Sequence, residues 1–169
     1  KQEDAEQTYL KAIALGKKNQ LTDVELYAYS NLSSLYIDER KWNKVYEFAM
    51  KAVKLGKQTG DQGIQATSLS RAAYSLVNNG KPDSALLLSD KALSLADSAG
   101  QPLTIYQAYS GKAEILKMQG TWKDAIRFYE KSFLAVKGGD IYTPDYGERY
   151  KELSECYEKT GNYPKALEA

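Results

Sequence analysis

Apolar residues in this chain recur every three or four positions through long segments, and polar residues, prolines or glycines separate one segment from the next. This spacing is typical of amphipathic helices with one buried face. The pattern predicts helices over 2–19, 22–39, 42–59, 62–79, 82–99, 102–119, 122–137 and 144–160, followed by the first turns of a further helix to residue 169. An all-α fold is therefore expected.

The helical segments repeat a common pattern at a nearly fixed interval. Aligned segments begin at Arg40, Gly80, Gly120 and Gly161, in steps of 40, 40 and 41 residues. A second column with the 40-residue step consists of Lys11, Lys51, Lys91 and Lys131. Two columns in register indicate a tandem array in which each repeat is a pair of helices, A and B.

Small residues recur where the paired helices would cross. One column holds Ser33, Ala73, Ala113 and Ser154, and the other holds Val45, Ala85, Ala125 and Ala166. With aromatic residues such as Tyr29 and Trp42 at set distances, these columns resemble the tetratricopeptide repeat (TPR) family. The resemblance implies a right-handed α-solenoid whose concave wall is built from the A helices.

The repeat is longer than the ~34 residues usual in this family. The spacing from Leu69 to Ala92 is unaltered, so the additional residues lie between Ala52 and Leu69, and between Ala92 and Tyr109. Helix B and the next helix A are therefore expected to be longer where they meet. This resembles the long-repeat branch of kinesin light chains and bacterial regulators.

The resemblance makes residues 1–169 a single array. It assigns 1–20 to helix B of a partial repeat, 21–60, 61–100 and 101–142 to full repeats, and 143–169 to a partial last repeat. Both ends are then expected to be cut from a longer array. Apolar faces around Tyr9, Ile13, Tyr157 and Leu167 would lack cover, which predicts end-to-end self-association.

Local signals add three expectations. Thr22–Glu25 has the form of a capping box, and Thr121 can cap the helix that follows it. The segment 137–144 holds the extra residue of the 41-residue step and is expected to be the most mobile loop. Leucine in place of Ala85 or Ala125 is expected to be more damaging than leucine in place of Ala96.

The family resemblance also assigns residues to the concave groove. The candidate peptide-binding residues are Tyr27, Asn31, Ser34, Arg71, Tyr74, Asn78, Gln107, Glu114 and Met118. Such a polar wall suits hydrogen bonding to an extended peptide or to a carboxylate. The alternative is that these residues are merely solvated, and that the protein binds through its edges or ends.

The clamp by which some TPR co-chaperones grip a C-terminal carboxylate is absent. Its lysine position carries Ser30, Ser70 and Ser110, and its asparagine position carries Ser34, Tyr74 and Glu114. A co-chaperone role by that route is therefore disfavoured.

The remaining conspicuous residues have structural interpretations. Eight tyrosines occupy packing positions of the repeat and are expected in the core: Tyr9, Tyr29, Tyr36, Tyr109, Tyr129, Tyr150, Tyr157 and Tyr163. The lysine column is interpreted as a solvated outer face of helix B. Cys156 is expected to be a partly buried, unreactive packing residue.

Composition excludes several classes of function. The chain has 23 basic and 22 acidic residues, so its net charge of +1 does not favour direct binding of nucleic acid or of an anionic membrane. Apolar runs are too short for membrane insertion. With no histidine and one cysteine, the common hydrolase triads are impossible and a zinc site would need carboxylates alone. We expect no catalytic residue, no metal and no cofactor, in a soluble protein for which cytoplasmic and periplasmic locations both stay open.

The sequence thus predicts a non-catalytic scaffold that binds a protein or an extended peptide in its concave groove. The alternative is a regulatory or sensory region that controls an output domain, for example a DNA-binding or kinase domain, outside this sequence. Fold alone does not decide between them.

Overall fold

The computed structural model describes residues 2–137 and 145–168 of the chain, and this part is helical almost throughout. Its helices are α1 (Gln2–Asn19), α2 (Thr22–Asp38), α3 (Trp42–Thr59), α4 (Gln62–Asn78), α5 (Pro82–Ala99), α6 (Pro102–Met118), α7 (Trp122–Val136), α8 (Tyr146–Lys159) and α9 (Tyr163–Glu168). The predicted helices are confirmed, with ends that differ by a residue or two. The loop expected to be mobile lies mainly outside the described residues.

The helices stack as a solenoid. Each helix packs on the next, and α2, α4, α6 and α8 also contact one another in series. Within the described residues, no such contacts join α1, α3, α5 and α7. Helices on the inside of a curved stack lie closer together, so the even-numbered helices form the concave wall.

Small side chains let the paired helices approach each other, as the two columns predict. Ala73 and Ala113 in the A helices, and Ala85 and Ala125 in the B helices, are completely buried. Ala96 is completely buried as well, beside Ala66 and Ala108. Leucine at Ala96 is therefore not expected to be milder than leucine at Ala85 or Ala125, because Ala66 and Ala108 leave no space beside Ala96.

The aromatic core differs from the expectation at two tyrosines. Tyr163 is 65% exposed, although its repeat position predicted burial, because α9 is short and, within the described residues, packs mainly on α8. Tyr106 carried no packing prediction, yet it is completely buried and its ring lies 6.2 Å from that of Phe133. Cys156 is completely buried, where partial burial was expected, and burial raises the pKa of its thiol to about 11.

The lysine column lies exposed on the outer face, as interpreted from the sequence. Some of these lysines also cover aromatic rings. The Lys51 ammonium lies 4.8 Å from the centroid of Phe48, and Lys131 lies 5.7 Å from that of Tyr109. Their ammonium groups therefore make cation–π contacts with rings at the edge of the core and are also exposed to solvent.

The ends are better covered than the sequence predicts. Ile13 and Tyr157 are buried and Tyr9 is half-buried, whereas Leu167 is 90% exposed. End-to-end association stays a prediction.

The two threonine caps are absent. α2 begins at Thr22 itself, and neither Leu21 nor Thr121 caps its helix through a side chain. The Thr121 hydroxyl donates to the Leu116 carbonyl at 2.8 Å instead, because the chain reverses direction there and leaves that carbonyl within reach.

A left-handed residue lies between successive helices from α1 to α7 and between α8 and α9, and two of these residues, Gln20 and Arg40, are not glycine. Gln20 has φ 58°, where the next repeat has Gly60 with φ 78°. A side chain strains this conformation and glycine does not. We expect Gln20→Gly to raise the free energy of unfolding by about 0.5–1 kcal/mol.

The reciprocal change Gly60→Gln is the matched test of the same strain. A Cβ at Gly60 would contact nothing within 4 Å, so only the backbone cost applies. Urea denaturation should show that Gly60→Gln lowers the free energy of unfolding by a similar amount. If both variants unfold at the wild-type midpoint, the strain is not present at these turns.

Candidate functional site

A cavity of about 520 Å³ lies on the concave wall, between α2, α4, α6 and α8. Its polar lining residues are Asp38, Arg40, Thr67, Ser70, Arg71, Gln107, Ser110, Glu114, Asp145, Glu148 and Arg149. Ile37, Trp42, Tyr74 and Gly111 complete the lining. The cavity thus joins a charged wall to a small aromatic corner, where the rings of Trp42 and Tyr74 meet edge to face at 5.5 Å.

The structure brings together four of the nine candidate residues in this cavity: Arg71, Tyr74, Gln107 and Glu114. The other candidates lie elsewhere. Tyr27 is 55% exposed and lines a separate cavity beside Gly60 and Asp61.

Four further candidates do not line the main cavity: Asn31, Ser34, Asn78 and Met118. Asn31 and Ser34 are exposed on α2, and Met118 is 46% exposed at the end of α6. Asn78 donates its amide to the Tyr74 carbonyl at 2.8 Å. That all nine form one binding surface stays a prediction.

Arg71 is a largely buried cation held by a serine. Its Nη1 donates to the Ser30 hydroxyl at 2.8 Å and to the Ser30 carbonyl at 3.1 Å. No ion pair joins Arg71 to a carboxylate within the described residues. Burial lowers the pKa of its guanidinium to about 10, which still leaves it charged at neutral pH.

At the other end of the cavity, Arg149 of α8 is surrounded by carboxylates. Its Nη1 lies 2.8 Å from Glu114 and 2.7 Å from Glu152, and its Nε lies 3.2 Å from Asp145. The Tyr129 hydroxyl donates to Glu152 at 2.9 Å, and Lys117 also contacts Glu152. This network fastens α8 to α6 and α7.

Burial and charge act in opposite directions on the pKa values of this network. Burial raises the pKa of Glu114, and Glu152 adds to the rise while Arg149 opposes it. Burial would lower the pKa of Arg149, but Glu114 and Glu152 raise it above its usual value. Burial would raise the pKa of Glu152, yet Arg149 and its hydrogen bonds lower it below the usual range.

Trp42, Glu148 and Arg149 line the cavity although none of them was predicted to lie in the groove. Glu148 lies two residues before Tyr150, as the candidate Tyr27 lies two residues before Tyr29, so extending the alignment of groove residues to α8 would have found it. Arg149 is the next residue, and its equivalents in the earlier repeats, Ala28, Ser68 and Ala108, are not groove candidates. Its location depends on Glu114 of α6, which is 35 residues away and gives no local signal.

The described residues offer no cluster of histidine, cysteine or acidic side chains suited to a metal ion. None of the described helices combines the length and hydropathy needed to cross a bilayer.

No family model matches the chain. The tetratricopeptide repeat protein 29 of Homo sapiens is 22% identical over 143 residues, and that of Macaca fascicularis is 21% identical over 141 residues. These matches cover 85% and 83% of this chain. The chain spans 30% of the length of each of these relatives.

Solved structures resemble the whole solenoid. BtubC (BKLC) from P. vanneervenii has a TM-score of 0.72 at 19% identity, over 95% of this chain and 70% of that one. The nearly identical TPR-like repeats of a putative kinesin light chain from Podosopora anserina have a TM-score of 0.69 at 15% identity, over 99% of this chain and 82% of that one.

The fold and the concave cavity define a helical-repeat solenoid, a class whose concave walls generally serve as interaction surfaces. Within that class, the chain has the tetratricopeptide repeat fold in its long-repeat form, so the resemblance drawn from the repeat columns is confirmed.

Proposed function

We propose that this chain is a non-catalytic scaffold that binds an extended segment of another protein in the concave cavity. The observation that carries the proposal is the cavity itself, which combines about 520 Å³ of space with hydrogen-bond donors and acceptors from α2, α4, α6 and α8. A peptide backbone presents both kinds of group along its length and needs such a lining when it leaves water.

Gly111 supports a ligand in this position. It lies in the interior of α6, where glycine costs a helix about 0.5–1 kcal/mol relative to alanine. Packing does not require glycine there, because a Cβ would meet only the Ser70 Cβ at 3.7 Å, an ordinary contact. The missing side chain widens the cavity and lets another backbone approach α6.

The test is a steric block. Random displayed peptides are selected on the wild-type protein, and the affinity of the selected peptides is measured for Gly111→Leu and Gly147→Leu. We expect Gly111→Leu to weaken binding about tenfold or more, since a leucine there competes for the ligand's space. Gly147 is the matched control because it is an exposed helical glycine with nothing within 4 Å of its Cβ position.

Equal affinities for the two leucine variants would contradict a concave site and indicate binding at the edges or ends. Control of an output domain in a longer chain stays a prediction from the family resemblance. No contact within the described residues favours it over the binding role.

A further inference from the structure

We infer that one edge of the solenoid, formed by the α2–α3 and α4–α5 turns, is a second interaction surface that binds a short acidic segment of a partner protein. Two adjoining cavities of about 450 and 370 Å³ lie on this edge. Every charged side chain in their described lining is basic: Arg40, Lys41, Lys44 and Lys81. The edge is distinct from the concave cavity, although Arg40 lies at the boundary and lines that cavity as well.

Hydrogen bonds hold the two turns of this edge together. The Asn79 amide nitrogen donates to Asn43 Oδ1 at 3.2 Å, and the Ser75 hydroxyl donates to the Trp42 carbonyl at 2.7 Å. The basic side chains therefore project from turns whose spacing is set before a partner arrives, which lowers the cost of binding. The Asn43 amide nitrogen has no acceptor within the described residues and adds a donor for an anion.

Two of the basic side chains are paired within the protein. The Lys41 ammonium lies 2.6 Å from the Glu39 carboxylate, and the Lys44 ammonium lies 3.6 Å from that of Glu6 in α1. These partners balance the charge of both lysines, so neither lysine by itself attracts a further anion strongly.

Arg40 and Lys81 carry the unbalanced positive charge of the edge. Both are exposed, and neither forms an ion pair within the described residues. The two turns and the helix ends beside them also hold Asp38 and Asp83, which are exposed but line neither cavity of this edge. Asp38 lines the concave cavity instead. Two neighbouring cations without a carboxylate favour a negatively charged ligand.

The backbone of Arg40 supports a role outside folding. Arg40 has φ 54°, in the left-handed region, whereas the equivalent residues of the other three turns of this type are Gly80, Gly120 and Gly161. A side chain is strained in this conformation. Within the described residues the guanidinium makes no ion pair in return, so stability does not explain an arginine at this turn. Strained residues that persist are concentrated at functional sites.

The spacing of the two turns suits a short acidic segment. α2 and α4 pack on each other, and packed helices lie about 8–10 Å apart. An extended chain advances ~3.3 Å per residue, so acidic residues two or three positions apart can reach both Arg40 and Lys81.

A long polyanion such as nucleic acid fits this edge less well. The next turn holds Gly120 and Thr121 where the first two turns hold Arg40 and Lys81 or their equivalents, and its Lys123 is followed by Asp124. The positive surface therefore does not continue as a stripe. The net charge of the chain is only +1, which gives a long polyanion little further attraction.

The experiment measures the affinity of labelled probes by fluorescence anisotropy, at low and at physiological ionic strength. One probe is a peptide with blocked termini and four consecutive glutamates between Gly-Ser spacers, and the second has glutamines in their place. The third is an oligothymidylate of the same length. We expect the wild type to bind the glutamate peptide about tenfold more tightly than the glutamine peptide, with a preference that decreases as salt rises.

Arg40→Gly separates binding from folding. It should weaken binding of the glutamate peptide about threefold and raise the urea midpoint, because it removes a cation and relieves the backbone. Gln20→Gly is the matched control, since it relieves the same strain at a residue that lines neither cavity. It should raise the midpoint and leave the affinity unchanged.

Lys81→Gln removes the second unpaired cation, and the double variant Arg40→Gly/Lys81→Gln should lose the preference for glutamate. Lys17→Gln is its control, because Lys17 is an exposed lysine in the last turn of α1, outside both cavities. Gly111→Leu obstructs the concave cavity and should leave the affinity for the glutamate peptide unchanged.

Three results would overturn the inference: equal affinities for the two peptides, a preference that survives in the double variant, or loss of glutamate-peptide binding in Gly111→Leu. Tighter binding of the oligothymidylate that is lost in the double variant would assign the edge to nucleic acid and would also overturn it. Each of these results leaves the proposed function standing, since that proposal is tested with peptides selected for the concave cavity.

Discussion

Arg149→Met is expected to lower the free energy of unfolding by about 3–5 kcal/mol. The Arg149, Glu114 and Glu152 side chains are only 18%, 14% and 15% exposed. Removing the cation leaves Glu114 without its ion pair in a buried place and weakens the attachment of α8 to α6. Urea denaturation at neutral pH measures the loss.

Arg127→Met is the control for this substitution. Arg127 forms an exposed ion pair with Asp124, in which the side chains are 61% and 55% exposed, so its loss should cost less than about 0.5 kcal/mol. Equal effects of the two variants would show that the Arg149 network does not hold α8 in place.

The difference in the free energy of unfolding between Arg149→Met and the wild type should become smaller in acid. The folded-state pKa of Glu152 lies below its usual 4.5, so the stability from this carboxylate is present above pH 4.5 and is lost as the pH falls through the lowered value. The variant has already lost the stability that the ion pairs of Arg149 give to the wild type. Its buried carboxyls also become neutral in acid, which removes the cost of an unpaired charge.

Ala125→Leu is expected to lower the free energy of unfolding by about 1–3 kcal/mol. Ala125 is completely buried where α6 and α7 cross, in the cluster that contains Ala113 and Leu116. A leucine there must push the two backbones apart or leave its preferred rotamers. Ala85→Leu, at the equivalent crossing of α4 and α5, should cost a similar amount.

The control for the alanine variants must be an exposed alanine. Ala14 of α1 is exposed, so leucine there should leave the denaturation midpoint nearly unchanged. Ala96→Leu is expected to resemble Ala125→Leu, since Ala96 is also completely buried. Midpoints that are the same for Ala14→Leu and Ala125→Leu would contradict the packing described for the crossing.

The sequence determined the helices, their pairing and the solenoid. Each of these depends on short-range patterns: apolar residues every three or four positions, a left-handed residue between helices, and small residues where neighbouring helices cross. The resemblance to the tetratricopeptide repeat family assigned Arg71, Tyr74, Gln107 and Glu114 to the concave groove, and these four residues line the cavity.

Only the tertiary structure decided which of these side chains carry an unbalanced charge. Arg71 and Arg149 look alike in the sequence, yet one is held by Ser30 and the other by Glu114 and Glu152. Ser30 and Glu114 come from other helices and lie 41 and 35 residues from their arginines, whereas Glu152 lies one turn from Arg149 on α8. The distance from each arginine to its partner on the neighbouring A helix depends on how closely the A helices stack. That spacing is a property of the packed solenoid and not of a single repeat.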